Sequence, residues 1–258
     1  MKWLLTGAGG MPGRGTVDEL TRRGERVTAP DQAALDPTRA EAVERAFTEH
    51  HPDIVVNRAA RTAVDDAESD EERATPCPED HPTAPRTAYG RSELAGERAV
   101  PEELPGASAV VRTAWPYGVH GRSFVRTTIG LEARRPAVDV VDDRRGQPTR
   151  SVDVAERIAD LGPRLGDDVH GVLHTTGSGE ATWYEPVGEV FRLIGAVPER
   201  VRPTTGAAFP RPPPRPAYSA LAHGRRQDIG LPAPRDRRVA LHEALPRIRK
   251  ESPLRETP

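Results

Sequence analysis

The chain opens with Lys2-Trp3-Leu4-Leu5-Thr6-Gly7-Ala8-Gly9-Gly10-Met11-Pro12-Gly13, and this stretch decides its fold class. Lys2–Leu5 is a short apolar run that predicts a β-strand. Three of the glycines that follow are spaced by three residues, and we expect a helix over Gly13–Arg23. A strand, a glycine-rich turn and a helix in this order are the context in which such glycines bind a dinucleotide.

Each of the three spaced glycines has a separate task in such a turn. Gly7 permits the tight bend, Gly10 lets the main chain approach a pyrophosphate, and Gly13 lets the helix pack close to the strand. The first amides of the helix and its dipole then favour the anion. Asp31 lies 18 residues beyond Gly13, where a carboxylate would accept from an adenosine ribose hydroxyl. It favours NAD over NADP unless a nearby arginine compensates, and its alternative role is a solvated or capping carboxylate.

The residues after this turn continue the alternation of strands and helices. Arg26–Ala29 predicts a second strand, and Asp36-Pro37-Thr38 predicts the cap of a helix with Ala42, Val43 and Phe47 facing inward. Ile54–Asn57 is a continuous apolar strand of the kind buried on both faces. The order βαβαβ predicts an α/β protein with a Rossmann-type, doubly wound parallel sheet.

The regular alternation then stops at an acidic, proline-rich segment, Asp65–Pro85, in which no strand is visible. We divide the chain into a dinucleotide-binding domain at 1–178, with 119–137 contributing to a second lobe, and a smaller C-terminal lobe at 179–258. Beyond the acidic segment, helices are predicted at Tyr89–Val100, Val152–Leu161 and Trp183–Ile194, and strands at Ser108–Arg112, Val138–Val141 and Gly171–Thr175.

Composition excludes several classes of function. The formal net charge is −2, which gives no electrostatic reason to expect a nucleic acid or an anionic membrane as partner. No apolar run reaches the ~18 residues of a membrane-spanning helix, and no secretory leader is visible. Cys77 is the only cysteine and the eight histidines are scattered, so we expect no disulfide and no metal site. A cytoplasmic location is the expectation.

Several motifs, taken in chain order, resemble one family. Residues 56–68 (VNRAARTAVDDAE) resemble the segment VNAAAYTAVDKAE of the dTDP-4-dehydrorhamnose reductases, which are extended short-chain dehydrogenases/reductases. Residues 89–97 (YGRSELAGE) are similar to their YGRTKLAGE. Further resemblances are 112–115 to RTSW, 142–149 to DDQxGxPT, 177–185 to GSGETSWYE, and Arg215-Pro216 with Ser219 and Leu221 to RPxNSxL.

The resemblance implies a reductase that transfers a hydride from NADPH or NADH to the C4 ketone of a dTDP-sugar. Tyr89 matches the family's proton-donating tyrosine, and Thr62, beside the sugar, is the second candidate catalytic residue. Candidate cofactor-binding residues are Gly7, Gly10, Met11, Gly13, Asp31, Ala59 and Ala60; candidate substrate-binding residues are Val64, Thr113, Trp115 and Arg215. Structural alternatives are a core position for Trp115, a buried first helical residue for Tyr89, and a solvated arginine for Arg215.

Two departures from the family bear on the chemistry. Glu93 stands where the family has the lysine of Tyr-x-x-x-Lys, and a carboxylate disfavours the tyrosinate that an ammonium would stabilise. Between Ile54–Asn57 and Tyr89–Val100 the family also carries a further helix and a strand ending in STDYVF, which supplies a catalytic Ser/Thr. That helix–strand unit is missing here, so the flanking strands either close up or leave a gap or a place for a partner. Arg58 and Arg61 replace an alanine and a tyrosine beside the expected cofactor channel, where they would crowd the nicotinamide or create an anion site.

Three functions are therefore open at this point. The chain is a dTDP-4-dehydrorhamnose reductase-like enzyme of deoxysugar biosynthesis with impaired catalysis, or a non-catalytic nucleotide-binding subunit. The regulatory subunit of methionine adenosyltransferase, a member of the same family, is a precedent for the second. A scaffold redirected to another reaction of secondary metabolism is the third. A homodimer and a complex with a partner subunit are both compatible with these functions.

Overall fold

The computed structural model describes residues 1–58, 75–85, 88–166, 169–209 and 216–251, with the backbone alone described at Ala88 and Tyr89. Over these residues the chain is an α/β protein, as predicted. The helices are α1 Met11–Arg22, α2 Ala40–His50, α3 Ala88–Glu103, α4 Phe124–Glu132, α5 Ser151–Leu161, α6 Tyr184–Leu193, α7 Gly224–Asp228 and α8 Arg237–Glu251. The strands are β1 Lys2–Thr6, β2 Arg26–Thr28, β3 Ile54–Asn57, β4 Ala109–Arg112, β5 Pro116–Tyr117, β6 Val138–Val141, β7 Arg145–Gly146, β8 Thr149–Arg150, β9 Gly171–His174, β10 Ala181–Thr182 and β11 Val201–Thr204.

The N-terminal sheet is parallel, with the strand order β2-β1-β3. Trp3 of β1 pairs with Ile54 of β3, and both side chains are buried against α1 and α5. Leu4 faces the opposite side, where α2 covers it. Its register partner on β3, Val55, is 41% exposed, so the prediction of a strand buried on both faces is wrong.

A second parallel pair, β4 with β9, stands apart from this sheet. Among the described residues no ladder joins β3 to β4, so these two strands do not close up over the place of the missing unit. Over the described residues, the space between β3 and β4 is therefore not bridged by a strand.

Two apolar clusters lie outside the N-terminal sheet. One joins α4, α6 and α8 around Tyr117, and the other joins β6, β11 and α6 around Phe191. α4 was not predicted, although Ser123 accepts from the Arg126 amide in an ordinary helix cap. Strand β11 and helix α8 were not predicted either. The domain boundaries at 178 and 179 stay a prediction.

One short contact ties the chain after the missing unit to the C-terminal lobe. The Cys77 amide donates to the Ala220 carbonyl at 2.9 Å, and the Ala222 amide donates to the Cys77 carbonyl at 2.8 Å. Cys77 therefore forms a one-residue parallel bridge with Leu221.

Two local predictions about the first helices need correction. α1 begins at Met11 rather than Gly13, since Pro12 already lies in its first turn. α2 begins at Ala40 after Arg39, and Asp36 accepts instead from the Thr38 amide in the preceding turn. Phe47 is 44% exposed, and Ala46 is the buried residue of that turn of the helix.

Candidate functional site

The glycine turn between β1 and α1 has the geometry of a phosphate-binding loop. Gly7 adopts a left-handed conformation with φ +68°, and its carbonyl accepts from the Gly10 amide at 3.2 Å. No side chain caps the N-terminus of α1, which therefore presents its first amides and its dipole to an anion.

Gly13 closes the turn against the strand. A Cβ atom at this position would lie 2.3 Å from the Gly7 carbonyl oxygen and 2.8 Å from the Ala8 Cα. Gly9 has open space around it, and a Cβ at Gly10 would meet nothing closer than 3.5 Å. The turn thus keeps an open main-chain surface, which fits the pyrophosphate of a dinucleotide.

Two further predicted cofactor residues lie at the edges of this turn. Met11 packs against the loop after β5, where a Cβ on Gly121 would come within 3.3 Å of the Met11 Cβ. Asp31 is exposed beyond the end of β2, and its Oδ1 accepts from the Ala34 amide at 2.9 Å. Asp31 therefore has the local turn-capping role that was its alternative, while its exposure leaves it accessible to a ribose hydroxyl.

Trp115 is held in an uncommon conformation beside the smaller lobe. It has φ 44°, a left-handed value that is costly for a bulky side chain and is found mostly where function requires it. Its indole stacks on that of Trp183 with centroids 3.8 Å apart and planes 8° apart. A Cβ on Gly146 would lie 2.5 Å from this indole, so only glycine fits there. Both tryptophans are half-buried rather than core residues.

Thr113, two residues before Trp115, carries a polar atom that lacks a partner. Its Oγ1 is buried and makes no hydrogen bond to any described residue. A buried hydroxyl without a partner costs free energy unless a ligand or water supplies the hydrogen bond. The position is thus suited to contact a polar substrate.

A cavity of about 640 Å³ opens beside Gly146. Among the side chains lining it are Arg145, Gln147, Ser178, Glu180, Leu221 and His223. The Tyr218 hydroxyl donates to Glu180 at 2.6 Å, and burial together with that carboxylate raises the pKa of Tyr218. The size and polar lining of the cavity suit a small polar ligand.

A chain of hydrogen bonds fixes His223 at the wall of this cavity. Thr176 donates to Gln147 Oε1 at 2.9 Å, so its hydroxyl oxygen is left to accept from His223 Nε2 at 2.7 Å. Burial, with a smaller effect from the charge of Arg226, lowers the pKa of His223 to about 4. His223 is therefore neutral at physiological pH.

Sequence reasoning did not select His223, Tyr218 or Glu180. Glu180 and Tyr218 lie within motifs that the sequence shares with its family, and Tyr218 stands in the place of the asparagine of RPxNSxL. His223 lies two residues beyond the last of these motifs. The replacement of the family's asparagine by Tyr218 was the feature of the sequence that could have indicated the residues around this cavity.

Helix α3 carries the Tyr89 backbone at its second residue and Glu93 one turn later. Burial and the neighbouring charge of Glu97 raise the pKa of the Glu93 carboxyl. Glu97 itself pairs with Arg112 at 2.5 Å. The helix therefore presents the Glu93 carboxylate where the resembled family has an ammonium group.

The remaining predicted site residues lie outside the described part of the chain. These are the cofactor candidates Ala59 and Ala60, the catalytic candidate Thr62, the substrate candidates Val64 and Arg215, and the Tyr89 side chain. The structure brings together the glycine-turn residues as one group and Thr113 with Trp115 as another.

Comparison with known proteins gives one family over nearly the whole chain. The model of the RmlD substrate binding domain matches residues 1–77 and 72–250. A probable dTDP-4,6-dihydroxy-2-methyloxan-3-one 4-ketoreductase of Streptomyces antibioticus is 51% identical, over 96% of this chain and 96% of its own. A dTDP-4-dehydrorhamnose reductase of Streptomyces griseus is 44% identical, over 96% and 94%.

Solved structures agree with this family. A dTDP-4-dehydrorhamnose reductase from Clostridium acetobutylicum superposes with a TM-score of 0.87 at 31% identity, over 96% of this chain and all of that one. The enzyme of the same name from Bacillus anthracis, solved in complex with NADP, gives a TM-score of 0.85 at 26% identity, over 94% and 98%.

The same comparisons locate the missing unit. The family model matches in two pieces that meet at residues 72–77. The alignment to the Streptomyces antibioticus protein runs over 285 positions but uses 96% of 258 residues, so about 37 positions have no residue in this chain. Such a length is that of one helix and one strand with their connections.

Proposed function

Because the chain belongs to the RmlD family, which includes the dTDP-4-dehydrorhamnose reductases, we propose that it reduces the 4-keto group of a dTDP-6-deoxysugar with NADPH or NADH. The reduced nicotinamide gives a hydride to C4 of the sugar and becomes oxidised. A side-chain hydroxyl gives the proton to the carbonyl oxygen, and the product is the alcohol. The glycine turn closed by Gly13 is the observation that carries this proposal, because its main chain suits a dinucleotide pyrophosphate.

We assign catalytic, cofactor-binding and substrate-binding roles to the residues of the glycine turn, of the Thr113–Trp115 group and of the family motifs. Thr113, with a buried hydroxyl that lacks a partner, and the strained Trp115 flank the place of the sugar. Tyr89 is the proposed proton donor and Thr62 a second catalytic hydroxyl. The proposed cofactor residues are Gly7, Gly10, Met11, Gly13, Asp31, Ala59 and Ala60, and the proposed substrate residues are Val64, Thr113, Trp115 and Arg215.

A second candidate function is a non-catalytic, nucleotide-binding subunit of the same descent. Glu93 in place of the lysine and the break at residues 72–77 favour it. Loss of a general-acid partner and of an electrostatic donor each lowers a rate by ~10²-fold or more. This subunit would bind the dinucleotide but turn over little ketone.

The cysteine content of the chain bears on the cellular compartment in which it works. The chain has one cysteine, Cys77, and no described helix is long and apolar enough to cross a bilayer. A fold that needs no disulfide suits a reducing compartment, so we propose the cytoplasm. The proposed partner is the dTDP-sugar itself, with a homodimer or a second subunit as the macromolecular alternatives.

The first test is a titration of the purified protein with NADPH and with NADH, followed by nicotinamide fluorescence and thermal unfolding. Turnover of a dTDP-4-keto-6-deoxyhexose is then followed by the loss of nicotinamide absorbance. Binding with turnover supports the reductase, and binding with no turnover supports the non-catalytic subunit. Failure to bind either dinucleotide would reject both functions.

A further inference from the structure

Arg58 follows β3 and lies beside the residue that precedes the glycine turn. Its amide donates to the Thr6 carbonyl at 3.3 Å, and Thr6 Oγ1 donates to Asn57 Oδ1 at 2.6 Å. Gly7 comes directly after Thr6. The main chain of Arg58 is thereby fixed next to the start of the turn.

The side chain of Arg58 contacts α1. Its Nη1 donates to Thr16 Oγ1 at 3.3 Å, and that hydroxyl donates in turn to the Pro12 carbonyl at 2.9 Å. The guanidinium thus rests against the first turns of the helix whose N-terminus faces the glycine turn. One helical turn, about 5.4 Å, separates Thr16 from the level of Pro12 and Gly13.

Arg58 carries a half-buried charge that no carboxylate in the described part of the chain neutralises. It makes no ion pair with a carboxylate of any described residue, and Thr16 is the one side chain among those residues to which it donates. Other half-buried arginines in the fold do have such partners, for example Arg112 with Glu97 and Arg200 with Glu132. Burial lowers the pKa of Arg58 to about 10, so the guanidinium is still protonated at neutral pH.

A half-buried cation of this kind is costly unless something neutralises it. A phosphate would do so, because the planar guanidinium fork matches two phosphate oxygens. The glycine turn beside Arg58 is built to hold phosphates. The family segment that this stretch resembles has alanine at the same place, so the cation is a feature of this chain.

We propose that Arg58 is a phosphate-binding residue of the glycine turn and contacts the pyrophosphate of the bound dinucleotide. This inference rests on the proposed function for the identity of the ligand, but the anion site itself does not depend on turnover. The site would replace part of the cofactor affinity that the family obtains from its lysine.

The test compares wild-type protein with Arg58→Ala, Arg58→Gln and Arg58→Lys, and uses the exposed Arg45→Ala as a control with the same change in net charge. NADH binding is measured by nicotinamide fluorescence, and inorganic pyrophosphate binding by its effect on thermal unfolding. Arg58→Ala and Arg58→Gln should weaken both ligands by about tenfold or more, Arg58→Lys by less, and Arg45→Ala not at all.

Equal or tighter NADH binding by Arg58→Ala would overturn the proposal, because the arginine would then fill or obstruct the channel. The pyrophosphate measurement separates this result from a failure of the proposed function. If the wild type binds pyrophosphate through Arg58 but not NADH, the reductase fails and the phosphate site stands. If it binds neither probe, the phosphate site is rejected.

Arg58→Gln is the variant to use if Arg58→Ala does not fold, because glutamine keeps most of the side-chain volume without the charge.

Discussion

At Gly13 there is no room for a single methyl group. We expect Gly13→Ala to lower NADPH and NADH affinity by at least about tenfold, because the Cβ would overlap the Gly7 carbonyl and push α1 away from β1. Overpacking of this kind also costs roughly 1–3 kcal/mol of stability. Nicotinamide fluorescence and urea unfolding measure the two effects.

Gly9→Ala is the matched control for this change. A Cβ at Gly9 meets nothing within 4 Å, so the free energy of unfolding should stay close to that of the wild type. Equal losses of stability in the two variants would mean that the turn responds to any lost flexibility rather than to the close approach at Gly13.

His223 predicts a dependence of stability on pH. Its pKa is about 4 in the fold, from burial first and from the charge of Arg226 second, against an ordinary 6.5. Between these values the unfolded chain binds more protons than the folded one, so stability falls as the pH drops from 6.5 to 4. The loss is on the order of 3 kcal/mol at most. Urea unfolding at pH 7 and pH 4 measures it.

Replacement of the imidazole isolates this contribution. His223→Gln should lose clearly less stability than the wild type over the same pH interval, whereas the exposed His170→Gln should lose as much as the wild type. The same pH dependence in wild type and His223→Gln would show that another group, such as the buried His174, accounts for the effect.

At the scale of elements, α3 has Glu93 where the resembled family has a lysine. Glu93→Lys removes the repulsion between Glu93 and Glu97, which are one turn apart, and should stabilise the protein by about 0.5 kcal/mol. It should also tighten dinucleotide binding. Ketone turnover should rise by less than about tenfold, because the helix–strand unit with its catalytic hydroxyl is still missing.

Thermal unfolding, dinucleotide titration and turnover check these three effects. Glu102→Lys, on the exposed side of the same helix, is the control for the change in net charge. Turnover at the rate of a reductase in Glu93→Lys would show that this chain does not need the missing hydroxyl.

Helices and strands whose hydrophobic pattern is not broken by proline or by many charged residues could be predicted well. β6 has its predicted bounds, Val138–Val141, since three of its four residues are valines, with only the exposed Asp139 between them, and it is flanked by proline and charged residues. In α8 the buried Leu241, Leu245 and Ile248 keep helical spacing, but Pro246 and many arginines obscured it. The turn residues were predictable because the backbone needs glycine there, whereas the Trp115–Trp183 stack joins positions far apart in the chain.

At the scale of the whole molecule, β3 and β4 each have one edge that no described strand pairs with, and these edges predict the result of restoring the missing unit. Insertion of the corresponding helix and strand of the Streptomyces antibioticus relative at residues 72–77 should raise the free energy of unfolding by at least about 2 kcal/mol. Covering the exposed 41% of Val55 contributes roughly 1 kcal/mol of this, and hydrogen bonds along the newly paired strand contribute the rest. Combined with Glu93→Lys, the insertion should also raise ketone turnover. Urea unfolding and turnover assays provide the readouts.

A glycine–serine insert of the same length at the same place is the control. It costs only loop entropy, about 1 kcal/mol or less, and supplies no strand. If the helix–strand insert stabilises the protein no more than this linker, the edges of β3 and β4 are not the places that the unit would occupy.

The bridge at Cys77 has a consequence for how the molecule opens. Two main-chain hydrogen bonds, to Ala220 and from Ala222, fasten the chain after the missing unit to residues 220–222. Any movement that separates these two segments has to break both, at a net cost of about 1–3 kcal/mol. Exchange of the Cys77 and Ala222 amide protons with deuterium therefore reports on this separation, and we expect it to slow at both residues when a bound dinucleotide holds the two segments together.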